Sequence, residues 1–181
     1  MTSFGNFVFK DASLAGLKII CNKKFDDNRG SFEETYNQKS FNAAGIMDFF
    51  CQDNQSFSKK GVLRGLHFQK PHFQSKLVRV ISGRVYDVAV DIRENSPTYK
   101  KFFGLELIPN GNMFYIPEGF AHGFLALEDS IFSYKCNAFY DPKGDFTLDY
   151  RSVGIPWDEI ASKNLIEDFI VSKKDLNGIC I

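Results

Sequence analysis

The chain has 181 residues, 44% of them hydrophobic and 24% charged, the composition of an ordinary globular protein with enough chain to bury a substantial core. Its 22 basic and 22 acidic residues cancel to a formal net charge of +0. That balance excludes broad electrostatic attraction to nucleic acid or an anionic membrane and leaves room for a local patch that holds one phosphorylated ligand. Met1 to Lys10 carries no basic segment followed by an apolar run, and no apolar run approaches the length of a membrane span. Neither a signal peptide nor a transmembrane helix is therefore expected. Cys21, Cys51, Cys136 and Cys180 are scattered without a Cys-x-x-Cys pair, which points to free thiols in a reducing cytoplasm rather than a zinc knuckle or redox motif.

In chain order, Asp26-Asp27-Asn28-Arg29-Gly30 reads as a turn and Gln38 to Gly45 as a short helix. Leu77 to Ile81 and Val85 to Ile92 read as strands, and Ser82-Gly83 between them predicts a tight hairpin. Phe102 to Ile108, Met113 to Ile116 and Ser130 to Cys136 read as further strands, with turn signals at Asn110-Gly111 and Asp141-Pro142-Lys143-Gly144. Asp158 to Leu165 and Ser172 to Asn177 read as helical turns. Many short, closely spaced strands predict a mostly β sandwich or barrel with a few short helices. No repeat, low-complexity segment or composition break divides the chain, so residues 1–181 are read as one domain. Twenty Phe against one Trp supply large apolar side chains for a barrel interior or a dimer interface. Strand alternation puts Lys76, Val78 and Val80 on one face and Leu77, Arg79 and Ile81 on the other, and groups Asp87, Ala89 and Asp91, and Phe132, Tyr134 and Cys136. Alternation alone does not say which face is inward.

Two stretches set polar side chains inside apolar runs. One is Gly61-Val62-Leu63-Arg64-Gly65-Leu66-His67-Phe68-Gln69, followed by Lys76-Leu77-Val78-Arg79; the other is Ile116-Pro117-Glu118-Gly119-Phe120-Ala121-His122-Gly123-Phe124. His, Lys and Arg are costly to bury without partners, so their place on hydrophobic strands marks a pocket lining. A base and a fixed cation in a ring-bounded cavity are what proton abstraction beside a carbonyl requires. The blander readings are a core histidine bonded to a backbone carbonyl for His67, a surface lysine for Lys76 and simple packing for Tyr134, with His122 open between site and structure. Asp87 and Asp91 read as structural or as supports behind the site, Arg79 and Arg93 as salt-bridge partners, and Gly119 and Gly123 as backbone geometry. Pro117-x-Gly-x-x-His122 resembles the second cupin motif, which implies a jelly-roll β-barrel. Metal-binding cupins supply His-x-His in the first motif; here His67 is followed by Gln69, and the third histidine, His72, lies in a loop beside Pro71. A metal-free pocket is the expectation.

Lys60-Gly-Val-Leu-Arg-Gly-Leu-His67, Lys76-Leu-Val-Arg79, Val85-Tyr-Asp-Val-Ala-Val-Asp-Ile-Arg93, Ser96-Pro97-Thr98 and Ile116 to Phe124 together closely resemble the dTDP-4-dehydrorhamnose 3,5-epimerase family, as do Asp27-Asn-Arg-Gly30, Tyr36-Asn-Gln38 and Gln52-Asp-Asn54. The resemblance runs in order from about Phe25 to Asp175. It implies a cupin jelly-roll that uses no metal and no cofactor, forms a homodimer, works in the cytoplasm, and epimerises a nucleotide-diphosphate 4-keto sugar at C3 and C5 for surface polysaccharide synthesis. It further implies that His67 is the base, that Asp175 orients it, that Lys76 faces the C4 oxygen and that Tyr134 returns a proton from the opposite face. Arg29 and Arg64 would hold the diphosphate, Glu34, Gln52 and Asn54 would lie near the base and ribose, and His122 and Tyr140 would border the sugar.

The chain departs from the family pattern at Tyr115 (commonly Trp), Glu33 (often aromatic), Phe139 (often Tyr) and the loop Lys70 to Ser75. These positions leave open whether the nucleotide is dTDP, GDP or CDP and whether the sugar is a hexose or a heptose. Two alternatives stand beside the double epimerase: a C3-only epimerase on a GDP-linked or other non-thymidine sugar, and a non-catalytic cupin that binds sugar nucleotides.

Overall fold

The computed structural model describes residues 1–181. Three strands open the chain, β1 (Thr2–Phe4), β2 (Phe7–Asp11) and β3 (Lys18–Asn22); a small hairpin of β4 (Lys24–Asp27) and β5 (Gly30–Glu33) and helix α1 (Gln38–Ala43) follow. The main strands are β6 (Gln52–Ser58), β7 (Val62–Gln69), β8 (Lys76–Ser82), β9 (Val85–Asp91), β10 (Phe102–Leu107), β11 (Met113–Ile116), β12 (Phe120–Ala126), β13 (Ser130–Cys136) and β14 (Asp145–Thr147). Helix α2 (Trp157–Lys163), β15 (Ile170–Val171) and α3 (Lys173–Leu176) close the chain. The expected strands form within one residue at each end and the expected helices within two. No helix is long and apolar enough to cross a membrane.

The strands build a seven-stranded sheet of order β1-β2-β3-β11-β8-β13-β6 and a second sheet of order β10-β9-β12-β7-β14, with β15 parallel to β7. The mostly β, jelly-roll expectation holds, as two opposed sheets that stay separate rather than joining into one continuous barrel. The expected Ser82-Gly83 hairpin does not form. Strand β8 lies between β11 and β13 in one sheet, and β9 lies between β10 and β12 in the other. Both edges of both strands are occupied, so the turn carries the chain across from one sheet to the other. Ser130 anchors it, its hydroxyl accepting from the Arg84 N–H at 3.0 Å.

Alternation now acquires a direction. Val78, Val80, Phe114, Ile116 and Phe132 of the seven-stranded sheet meet Val85, Ala89, Phe120, Phe124 and Ala126 of the other to form an apolar inter-sheet core. Lys76, Asp87 and Tyr134 therefore point into the same inter-sheet space. The outer face of the second sheet is covered by the C-terminal segment through Leu148, Trp157, Ala161 and Ile166. Phe41 is the one buried residue of α1, which is capped by Asn37, and it covers the outer face of the seven-stranded sheet with Phe7, Phe9 and Ile20.

The pairing of β7 with β12 sets the site. His67 faces His122 and Arg64 faces Phe124, so three residues of β7 span two of β12. This bulge turns Arg64 and His67 to one face, although strict alternation would separate them. The strands approach so closely here that a Cβ on Gly65 would lie 2.7 Å from the His122 carbonyl oxygen, and one on Gly123 would lie 2.4 Å from that of Arg64. Gly65 also has φ +110°, which disfavours any side chain.

At the end of β9 the carboxylate of Asp91, fully buried, accepts from the Arg93 guanidinium and the Ser96 and Thr98 hydroxyls. Burial pushes its pKa up, but these donors outweigh burial and hold it well below the ordinary 3.8. A folded-state value below the unfolded one adds stability that is fully present above the unfolded value and is lost as pH falls toward the folded one. Asp91→Asn should therefore destabilise the protein near neutral pH, and the gap to wild type in urea midpoints should narrow as the pH is lowered through the carboxylate range. A gap that stays constant would refute this account. Gly123→Ala should cost about 1–3 kcal/mol in the same assay; an unchanged midpoint would mean that β7 and β12 can part without penalty.

Candidate active site

A cavity of about 320 Å³ opens at the polar end of the inter-sheet space. It is walled by Gln52 and Asn54 of β6, His67, Phe68 and Gln69 of β7, Lys76 of β8, Tyr134 of β13 and Asp145 of β14, with Gln74, Tyr140 and Lys174 at its margin. His67 stands on the second sheet, and Lys76 and Tyr134 stand on the seven-stranded sheet, so they occupy opposite walls.

His67 is half-buried, and its Nε2 lies 2.6 Å from Asp175 Oδ1. Asp175 is brought there by α3, whose cap Ser172 accepts from the Asp175 N–H at 3.1 Å. The other carboxylate oxygen faces the Gly65 N–H at 3.4 Å. Burial pushes the Asp175 pKa up, but the bonds from His67, Ser172 and Gly65 prevail and hold it below the usual range. An ionised carboxylate only accepts, so Nε2 carries the ring proton and Nδ1 is left as the basic nitrogen.

Lys76 makes no salt bridge; its Nζ lies 5.9 Å from the Tyr134 ring centre. Burial pushes its pKa down, the negative charges of Asp145 and Asp87 and the nearby Cys136 thiol oppose this, and Lys174 adds to the downward push. The Tyr134 phenol is raised, chiefly by burial, and so keeps its proton. His122 is buried directly behind His67 as its cross-strand partner, donating from Nε2 to Asp87 Oδ2 at 2.9 Å and stacking on Phe132. Burial pushes its pKa down and leaves the ring neutral.

The structure thus brings together His67, Lys76, Tyr134, Asp175, Gln52, Asn54 and Tyr140, with His122 one layer behind. Arg64 shares the face of His67 but reaches the rim, where it donates to the Ser58 hydroxyl and the Phe57 carbonyl. Arg29 and Glu34 lie outside this cavity. Arg29 pairs with Asp27 at the exposed tip of the β4–β5 hairpin, and Glu34 accepts from Asn6 and Asn37. Glu33 and Tyr115 also face away from the cavity: Glu33 accepts from Asn22, and Tyr115 sits in the outer cluster with its hydroxyl on Asp48.

Sequence reasoning missed Asp145 and Lys174, which form an ion pair at the cavity margin, with the Tyr140 hydroxyl donating to the same Asp145 oxygen at 2.9 Å. Lys174 adjoins Asp175, and Asp145 follows the Asp141 to Gly144 turn, so the signal lay in the neighbours of residues already singled out. Gln69 was also missed as a brace: its amide donates to the His72 and Phe139 carbonyls and accepts from the Asp141 N–H, holding the mouth. No group of three His, Cys, Asp or Glu side chains converges on a point that would hold a metal ion.

Residues 11–181 match the family model for dTDP-4-dehydrorhamnose 3,5-epimerase. The dTDP-4-dehydrorhamnose 3,5-epimerase of Methanothermobacter thermautotrophicus is 47% identical over 175 residues, covering 94% of this chain and 92% of the relative. The Legionella pneumophila dTDP-6-deoxy-D-glucose-3,5-epimerase, solved with dTDP-4-keto-L-rhamnose, superposes with a TM-score of 0.90 at 41% identity, covering 96% of this chain and 92% of that one. A 3′-monoepimerase of Streptomyces bikiniensis, solved with dTDP-quinovose, is more distant, with a TM-score of 0.83 at 27% identity over 93% of this chain and 85% of that one.

Cys136 lies against this site, and burial raises its thiol to about 11. Iodoacetamide near neutral pH should label the exposed Cys21 and Cys180 and spare Cys136, as read by peptide mass spectrometry. Equal labelling of Cys136 would mean that the cavity floor is open to reagent.

Proposed function

The chain belongs to the dTDP-4-dehydrorhamnose 3,5-epimerase family, and from that premise we propose that its cavity inverts C3 and C5 of a dTDP-linked 4-keto-6-deoxyhexose. The observation that carries this reading is the opposition of a carboxylate-held imidazole on one sheet to a protonated phenol and a lysine on the other. The ketone at C4 acidifies the hydrogens on its neighbours. His67 Nδ1 takes one of these protons, and the electron pair of the broken C–H bond moves into an enolate. The Lys76 ammonium stabilises the enolate oxygen. Tyr134 delivers its proton to the carbon from the opposite wall, which inverts the centre; the phenolate regains a proton from solvent and His67 releases the one it took. Substrate and product are isomers, so the balance needs no oxidant, reductant or co-substrate.

Gln52 and Asn54 line the cavity where the nucleotide would lie, Tyr140 borders the sugar, and Arg64 at the rim suits the diphosphate. Arg29 and Glu34 fit their expected ligand role in a homodimer, where the β4–β5 hairpin of one subunit reaches the other's cavity. The exposed Phe25 and Phe32 on that hairpin and Phe57 on the edge strand β6 support such an assembly. A cytoplasmic enzyme supplying an activated sugar to a surface polysaccharide is the setting this reading implies.

Incubated in heavy water with dTDP-4-keto-6-deoxyglucose, the protein should incorporate deuterium at both C3 and C5, read by NMR. Label at C3 alone would select the C3-only epimerase, and binding without label would select the non-catalytic cupin. A preference for a GDP-linked analogue would overturn the choice of nucleotide. His67→Asn should fold and lose exchange by roughly 10²–10⁴-fold, and Lys76→Ala should lose on the order of a hundredfold. Wild-type exchange in His67→Asn would remove it as the base.

A further inference from the structure

Asp87 takes no part in the steps above, yet it is the most deeply buried charged group beside the cavity. It is 0% exposed in the middle of β9, between the inward-facing Val85 and Ala89. Its Oδ2 accepts from His122 at 2.9 Å, whereas its Oδ1 is sealed from solvent with no hydrogen-bond partner. Burying a carboxylate with one oxygen unpaired is costly unless a nearby cation compensates it. His122 does not supply that cation. Burial pushes its pKa down, Asp87 only partly opposes this, and Lys76 and His67 push the same way as burial, so the ring donates as a neutral imidazole.

The cation that remains is Lys76, which projects from β8 into the same space and has no salt bridge of its own. Three groups hold its charge up against burial: Cys136, Asp145 and Asp87. Cys136, raised to about 11, is a neutral thiol near neutral pH. Asp145 is already paired with Lys174. Asp87 is thus the negative charge not matched elsewhere.

We propose that Asp87 is a positioning residue of this cavity: its Oδ2 fixes His122 behind His67, and its unmatched charge keeps Lys76 in the ammonium form that the enolate oxygen requires. This rests on the function proposed above and deepens it. The charged and titratable groups facing the pair are Arg64 and His67 from β7, His122 from β12, Tyr134 and Cys136 from β13, Asp145 from β14 and Lys174 from α3, with the Arg64 guanidinium bonded to Ser58 and Phe57 at the rim.

Asp87→Asn keeps the shape and an acceptor for His122 and removes only the charge. Without that charge the ammonium loses its proton more readily, so the alkaline limb of the kcat profile should move to lower pH by about one unit, with KM little changed. In a Lys76→Met background the same substitution should lower kcat no further. An unmoved alkaline limb, or a full additional loss in the Lys76→Met background, overturns the proposal. A measurement on wild type needs no variant: ¹³C NMR of labelled lysine should show Lys76 as an ammonium near neutral pH, and a neutral amine there would equally overturn it. If wild type fails to exchange substrate protons in heavy water, the functional reading falls, while the lysine titration in wild type and Asp87→Asn still decides the role of Asp87.

Discussion

Ionisable side chains enter the space between two apolar sheets at a cost of desolvation that opposite charges and hydrogen bonds must offset, and that cost organises this protein. All but one of the ionisable groups at the inner end have an answer across the fold. Asp175 answers His67, Asp87 answers His122, and Asp145 answers Lys174. Lys76 alone makes no salt bridge, so its Nζ faces the cavity without a bonded counter-charge. The apolar remainder, with Phe124 and Phe132 stacked at 4.4 Å, keeps water from screening the buried His122–Asp87 pair.

The sandwich converts this arrangement into facial chemistry. Inversion of a carbon requires a proton to leave one face and another to arrive at the opposite face, which a single side chain on one wall cannot do. Here His67 stands on β7 and Tyr134 on β13, strands of different sheets on opposite walls of the cavity. Sheet separation therefore sets the distance between the two faces, and the packed Phe, Val and Ile residues below hold that separation. The C-terminal segment covers the outer face of the second sheet and also delivers Asp175 through a four-residue helix, so covering the core and holding the His67 ring depend on the same stretch of chain.

The β7–β12 contact places the side chains on these walls. Two glycines allow the backbones to approach, and the bulge aims Arg64 and His67 at the same side. Expectations from alternation alone were sound for β9 and for β8 and β13, whose one register shift lies at the Ser82–Ile131 end away from the cavity, and insufficient for β7, where the shift falls within the site. Arg29 and Glu34 show a different limit: their motif matches the family, but the hairpin carrying them leads away from the cavity of its own chain.

By itself the sequence determined the strand segments, the short helices, the mostly β class and the polar set around His67 and Lys76. These depend on alternation, turn residues and side-chain type, which act between neighbours along the chain. Tertiary structure alone decided that Ser82-Gly83 crosses between sheets, since each flanking strand has both edges filled by strands from elsewhere. It alone brought Asp145 and Lys174 to the cavity and set His67 on Asp175 across 108 positions of sequence. It also decided which groups are charged, because burial and the nearest opposite charge depend on what the whole fold encloses, and no local window of sequence contains that information.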